Sequence, residues 1–339
     1  MRSFTRRAAL SAAAAAAGSL LIAGPAAAQT VEMRASHQWK QGTDARDRAL
    51  RILVDEAVKR APELKVRIYP GLSLNIKTVA QYDALQSGSL DMSIYPLVYA
   101  TGKIPEYSIT ILPGTVGSLA EAAKLKKSAF RDKLQEIANK DGVHILTWWW
   151  TPGGFASKSR EITGPESVKG LSMRAADPIY EVMLKSQGAS IQSMPSSEVY
   201  SAMQSGVLDS LLTSAETFVS MRLYEQAKYI TIGGDYTIFM LLQPVLVSKK
   251  TWDKLTPTQK AALEAGAAAS EKFFDANQEE AVKAAEDAYR KAGAKVTPLS
   301  KADFDAWVAL AKTTSWPEFE GKSADSKELL KLLLAGLGR

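Results

Sequence analysis

The chain has 339 residues, of which 46% are hydrophobic and 23% charged, with no cysteine and a formal net charge of +6. That length suits two domains, and the lack of cysteine excludes disulfides, thiol nucleophiles and cysteine-based metal sites together. No basic run is interleaved with aromatic residues, which excludes a nucleic-acid-binding surface of the usual kind.

The first segment reads as a leader. Arg2, Arg6 and Arg7 form a basic start, an alanine-rich apolar stretch follows, and Ala26-Ala27-Ala28 fits a small-residue cleavage site. A signal peptide over residues 1–28 is expected. Ser11, Gly18 and Ser19 interrupt the stretch, which suits a cleaved signal better than a membrane anchor. The Arg6-Arg7 pair leaves twin-arginine and Sec export both open, and either route ends in a bacterial periplasm. Losing the three leader arginines lowers the formal charge from +6 to +3.

Beyond the leader, residues 31–38 alternate as a first strand, and Asp44 to Arg60 carries a helical apolar stripe through Leu50, Leu53, Val54, Ala57 and Val58. A strand over Lys65–Tyr69, a helix over Thr78–Ser87 and a strand over Leu90–Tyr95 follow. Ser118 with Glu121 reads as a capping box. Val143 to Trp150 reads as one apolar strand, and Pro152-Gly153-Gly154 as a crossing point between two parts. Residues 155–235 form a second α/β block, with a strand ending at Met173-Arg174, helices over Ile179–Gly188 and Ser197–Ser205, and a strand over Tyr229–Ile232. Phe239 to Ser248 reads as one strand returning to the first part. Thr256-Pro257-Thr258-Gln259 is a strong helix start, and the alanine-rich helix it opens is expected to run to about Ala292. Two or three further helices fill the tail from Ser300.

One phrase organises this pattern. Ala84-Leu85-Gln86-Ser87-Gly88-Ser89-Leu90-Asp91 recurs as Ala202-Met203-Gln204-Ser205-Gly206-Val207-Leu208-Asp209, identical at six of eight positions. Each copy reads as a helix end, a glycine in a left-handed turn and a strand entering a core. Two α/β lobes of similar build follow, and a cleft between such lobes is a natural small-molecule site.

Catalytic signatures are missing from the sequence. It has no phosphate-binding loop, dinucleotide fingerprint, zinc-protease helix or nucleophile elbow. Of the two histidines, His144 lies inside an expected core strand, and His37 ends the first strand, where binding residues occur in open α/β sheets. Arg174 stands out at the end of a strand, because a guanidinium grips a carboxylate through a planar fork.

The run Lys169-Gly170-Leu171-Ser172-Met173-Arg174, then Gly188-Ala189, then Met194 to Asp209 resembles the DctP-type solute-binding proteins of tripartite ATP-independent periplasmic (TRAP) transporters. Tyr224 to Tyr229, Pro244 to Lys249, Gly88 to Met92 and Lys103 to Tyr107 extend the likeness over nearly the whole mature chain. The resemblance implies a two-lobe α/β periplasmic binding protein fold with a hinged cleft and a long bracing C-terminal helix. Lobe I is expected over 29–151 and 239–255, lobe II over 152–238, and the bracing helices over 256–339. The resemblance further implies a periplasmic binding subunit rather than an enzyme, an organic-acid ligand clamped by Arg174, and TRAP membrane subunits as partners. No cofactor or metal is expected; Glu216 and Asp177 stay open as aids to a bridging cation. The expected state is a monomer, with a dimer left open.

Two departures from the family pattern bear on the ligand. An asparagine that many members carry after the repeat aspartate is replaced by Leu212 or Thr213. A second arginine before the Lys-Gly-Leu block has no counterpart in Trp150 to Ser157. Trp150 and Phe155 add aromatic surface there, and His37, Trp39, Tyr95 and Phe239 are further candidates at strand ends. A pocket lacking partners for polar groups disfavours polar ligands. The reading is a monocarboxylate with an apolar or aromatic body, a hydroxy- or keto-acid. A C4-dicarboxylate, and a binding protein of an ATP-driven importer or a sensing system, are the alternatives.

Overall fold

A computed structural model describes residues 30–339, so the leader lies outside the described residues. The elements in chain order are β1 (Val31–Ser36), α1 (Ala45–Arg60), β2 (Leu64–Tyr69), α2 (Gln81–Ser87), β3 (Met92–Ile94), α3 (Leu119–Leu125), α4 (Ala129–Lys140) and β4 (Val143–Ile145). Then come β5 (Trp150–Ser157), β6 (Ser172–Ala175), α5 (Pro178–Ser186), β7 (Ser190–Ser193), α6 (Ser196–Gln204), β8 (Ser210–Ser214), α7 (Ala215–Ser220), β9 (Tyr229–Thr231), β10 (Met240–Leu242) and β11 (Val245–Ser248). The tail holds α8 (Lys249–Lys254), α9 (Pro257–Ala276), α10 (Gln278–Lys291), β12 (Lys295–Thr297), α11 (Lys301–Thr313), α12 (Ser315–Glu320) and α13 (Ala324–Leu337).

Two sheets result, each the centre of a lobe. The first has strand order β2-β1-β3-β11-β4, with β11 antiparallel to both neighbours. The second has order β12-β9-β5-β8-β6-β7, and β10 pairs with the first half of β5. Trp150 to Pro152 thus pair with β10, whereas Gly153 to Ser157 run between β8 and β9. A Cβ on Gly153 would stand 2.0 Å from the Thr213 carbonyl oxygen and 2.6 Å from the Phe239 ring, so only glycine fits this crossing.

The repeated phrase closes the same hydrogen bonds in both lobes. Gly88 and Gly206 take φ of +78° and +82°. Leu90 N–H donates to the Ala84 carbonyl at 3.0 Å, and Leu208 N–H to that of Ala202 at 3.2 Å. Asp91 Oδ2 accepts from Arg34 N–H on β1 at 2.8 Å, and Asp209 Oδ2 from Ser172 N–H on β6 at 3.1 Å. Each aspartate therefore ties its strand to the neighbouring parallel one.

α1 packs along α9, where Leu50, Leu53 and Ala57 meet Leu263, Ala267 and Phe274. The capping box at Thr256 forms as the sequence implies. At α3 the Ser118 hydroxyl accepts from Glu121 N–H, but the Glu121 carboxylate takes Gly117 N–H, one residue before the cap.

Several element boundaries differ from expectation. The single strand expected over Val143–Trp150 is two, β4 and β5. Between them Trp148 N–H turns to Glu271 Oε1 (2.7 Å), and the Thr147 hydroxyl accepts Val245 N–H (2.8 Å), so side chains replace ladder partners. The strand expected over Phe239–Ser248 likewise divides at Gln243-Pro244, where proline has no N–H to give. The expected long helix consists of α9 and α10 separated by Asn277. The Asn277 amide donates to the Phe273 carbonyl at 2.7 Å, and its backbone N–H shifts to Phe274 at 3.1 Å. The expected helix at Thr78 starts with a 3₁₀ turn, Thr78–Ala80. β12, unforeseen, pairs parallel with β9.

Candidate functional site

Arg174 sits on β6 between β7 and β8, and is 1% exposed. Its Nε donates to the Met194 carbonyl at 3.0 Å, its Nη1 to the Leu212 carbonyl at 2.9 Å, and its Nη2 to the Tyr99 hydroxyl at 3.4 Å. Among the described residues no carboxylate forms an ion pair with it. Burial without a counter-charge holds its pKa below the ordinary arginine value.

The lobe I side is built from side chains the sequence reading did not single out. Tyr99 stands on a 3₁₀ turn, Leu97–Ala100, just after β3. Its hydroxyl accepts from Ser196 N–H, at the start of α6, at 3.0 Å, and reaches the Ser196 hydroxyl at 3.3 Å. Burial pushes the phenol up, but Arg174 and the Ser196 donors outweigh it and hold it below the usual tyrosine value. The Thr78 hydroxyl lies 3.3 Å from that of Ser197 and 3.4 Å from Gln38 Oε1, and Gln38 Nε2 is buried without a partner.

A second buried arginine, Arg46, projects from the first turn of α1. Its Nε and Nη2 grip both carboxylate oxygens of Asp44 at 2.7 Å, and its face stacks 4.2 Å above the Trp39 ring. Its Nη1 reaches Ser214 Oγ and Thr217 Oγ1 of the other lobe, and Gln243 Oε1, each at 3.2 Å. Burial would lower its pKa, but the Asp44 carboxylate prevails and raises it. The two arginines are arranged alike. Tyr99 lies eight residues after Asp91, and Thr217 eight after Asp209, so each lobe offers a hydroxyl at the same repeat offset to the other lobe's arginine. The shared offset links the two hydroxyls, so that either one, once placed, points to the other.

The remaining candidates are placed as follows. Phe155, Leu212 and Phe239 share one apolar cluster, in which Phe155 stacks on Trp307 with ring centres 5.4 Å apart. Thr213 is buried opposite Gly154 on β5. Trp150 packs with Met240 and Leu242 on the lobe I side. Tyr95 packs edge-on to Tyr99. Trp39 supports Arg46, as above. His37 uses both ring nitrogens inside lobe I: Nε2 lies 3.1 Å from Asp47 Oδ1, and Nδ1 accepts Trp39 N–H at 3.2 Å. Asp177 caps α5 and accepts from Ser108 at 2.7 Å, and burial pushes its carboxyl up to about 6. Glu216 accepts from Thr151 at 2.6 Å through Oε2, while its buried Oε1 has no partner. Among the described residues no group of three or more acidic or histidine side chains is placed to hold a metal ion.

The model of bacterial extracellular solute-binding protein family 7 (DctP) matches residues 36–321. The chain belongs to that family. This family 7 protein is 36% identical over 333 residues to a solute-binding protein of Albidiferax ferrireducens, covering 96% of this chain and 98% of the other. Its fold matches a crystal structure of a TRAP periplasmic solute binding protein from Rhodoferax ferrireducens with bound malonate. That match has a TM-score of 0.87 at 35% identity, over 90% of this chain and 98% of that one. The C4-dicarboxylate-binding periplasmic protein DctP of Rhodobacter capsulatus is 26% identical over 280 residues, 81% of this chain and 82% of the other. No helix among the described residues of this family 7 protein is long and apolar enough to cross a membrane.

Proposed function

We propose that this chain is the periplasmic substrate-binding subunit of a TRAP transporter, and that it captures an organic acid by a clamp between Arg174 and the ligand's carboxylate. The observation that carries the reading is Arg174 itself: 1% exposed, bonded only to two carbonyls and a hydroxyl, and without a protein carboxylate. A buried guanidinium in that state is costly, and a ligand carboxylate offsets the cost. The malonate in the Rhodoferax relative agrees with an acidic ligand.

The finer reading is a monocarboxylate with an apolar or aromatic body. Leu212 and Thr213 stand where an amide would favour a polar ligand, Phe155 and Phe239 cluster with Leu212, and Arg46 is already paired to Asp44. A dicarboxylate is the second reading, favoured by the malonate-bound relative.

In this scheme residues 29–151 with 239–255 and residues 152–238 move as lobes about β5 and β10, braced by the helices after 256. The acid docks on Arg174 in the open form. Contacts from both lobes then favour closure, driven by the ligand's differential affinity for the two states. The closed form hands the ligand to TRAP membrane subunits. Export to the periplasm by the leader completes the proposal.

Calorimetry on the mature chain tests the clamp, with phenylpyruvate, 4-methyl-2-oxopentanoate, malonate and succinate as ligands. Arg174→Ala is expected to weaken binding by about 3–5 kcal/mol, or roughly 10²- to 10⁴-fold, as a desolvated charge pair is removed. Unchanged affinity in a folded variant sinks the clamp. Tight binding of succinate or malonate alone keeps the transporter reading and removes the apolar-acid one.

A further inference from the structure

We propose that Asp44 sets ligand specificity by masking Arg46, so that among the described residues the cleft presents one unpaired arginine, Arg174, instead of two. The inference rests on the Arg174 clamp proposed above. Both arginines address the same end of β8. Arg174 Nη1 donates to the Leu212 carbonyl, and Arg46 Nη1 reaches the Ser214 hydroxyl two residues on. Two residues span roughly 6.6 Å of strand backbone, so both guanidiniums meet β8 within one short stretch at the same end.

The two differ in their counter-charge. Arg174 has none, whereas both fork nitrogens of Arg46 are taken by Asp44 at 2.7 Å. Glu216, two residues beyond Ser214, adds a second negative charge close by, with Oε1 unpartnered in the interior. A second ligand carboxylate arriving here meets an occupied fork and two carboxylates. Rejection by like charge is a recognised route to selectivity. The protein supplies the second anion itself, and the ligand needs only one.

Asp44 also caps α1, accepting Arg46 N–H at 3.0 Å, and asparagine keeps that cap while losing the charge. The test therefore uses Asp44→Asn, with Glu216→Gln as the milder variant, the double variant Asp44→Asn with Arg46→Met, and Arg174→Ala. Titration calorimetry with malonate and phenylpyruvate gives the affinity ratio for each. Asp44→Asn is expected to raise the malonate-to-phenylpyruvate ratio by at least about tenfold, and the double variant to return it to the wild-type value. If Asp44→Asn does not fold, Glu216→Gln must move the ratio the same way. A ratio unchanged within about twofold in the folded single variant overturns the inference, as does an equal rise in the double variant. A wild-type chain that binds malonate at least as tightly as phenylpyruvate overturns it too. Binding that survives Arg174→Ala brings down the clamp reading and this inference with it. Binding lost in Arg174→Ala with a flat Asp44→Asn ratio brings down the masking alone.

Discussion

Gly153→Ala places one methyl group at the crossing between the sheets. The new Cβ would lie 2.0 Å from the Thr213 carbonyl oxygen, 2.7 Å from its carbonyl carbon and 2.6 Å from the Phe239 ring. Side chains yield to such crowding for about 1–3 kcal/mol, but here two of the three obstacles are backbone atoms of β8, held by pairing to β5 and β6. We therefore expect the upper end, about 3 kcal/mol, which for a chain of this size lowers Tm by about 6 °C. Thermal melts of the mature chain measure it, with Gly164→Ala as the matched control. A Cβ at Gly164 meets only the Glu166 carboxylate, at 2.8 Å, the mobile end of a side chain that swings away. That control should stay within about 0.5 kcal/mol of wild type. Equal melting of the two variants would refute the steric argument and show that β5 relaxes freely at the crossing.

Further outcomes follow from the buried titrating and capping groups. The Asp177 carboxyl is raised to about 6, so its contribution to stability is full below the unfolded value near 3.8 and is lost as pH rises through 6. Asp177→Asn, which keeps the α5 cap, should gain on wild type between pH 4 and pH 7, by at most about 3 kcal/mol in urea melts; a constant difference across that range would contradict it. His144, stacked 4.0 Å from the Trp252 ring, is lowered by burial to about 4, so stability present above its unfolded value near 6.5 falls away as pH drops from there through 4. An imidazole titrating near 6.5 by NMR would show that the ring is solvated. Thr256→Ala removes the hydroxyl half of the reciprocal cap on α9, while the backbone N–H at 256 still reaches Gln259, and should cost about 1 kcal/mol, read from the urea midpoint. Tyr99→Phe deletes the lobe I hydroxyl bonded to Arg174 and to Ser196 N–H, and should weaken acid binding by about 1 kcal/mol, roughly fivefold, with no change in which acid is preferred.

Local signals carried much of the fold. The repeated phrase, the proline-led capping box and the apolar stripe of α1 are all formed by residues close in sequence, and each is found where periodicity and capping place it. Strand lengths were not legible, because Val143 to Trp150 is mostly apolar, with His144 and Thr147 the polar exceptions, and the partners that end the ladder, Glu271 for Trp148 N–H and Val245 N–H for the Thr147 hydroxyl, lie far away in sequence. The break at Asn277 depends on one amide choosing the Phe273 carbonyl, a choice that leaves no mark in the hydrophobic pattern. In the site, Arg174 was visible through its strand-end setting and the family resemblance. Asp44 and Arg46 read only as the start of a helix, since what gives the pair meaning is the contact of Arg46 with Ser214 and Thr217, 168 and 171 residues away in sequence. Tyr99 lay hidden in a 3₁₀ turn, whose short length gives no periodicity to read.

The strand orders have a consequence for how the chain is made. In the first sheet β11 lies between β3 and β4, and in the second β12 pairs onto β9. Neither core closes when its own contiguous stretch has been synthesised. The first waits for residue 248 and the second for residue 297, so an emerging chain carries two incomplete sheets until most of its length is present. Such late, long-range pairing slows folding and leaves strand edges unpaired meanwhile. A ribosome stalled before β11 would hold a nascent chain in which neither sheet has its full set of strands.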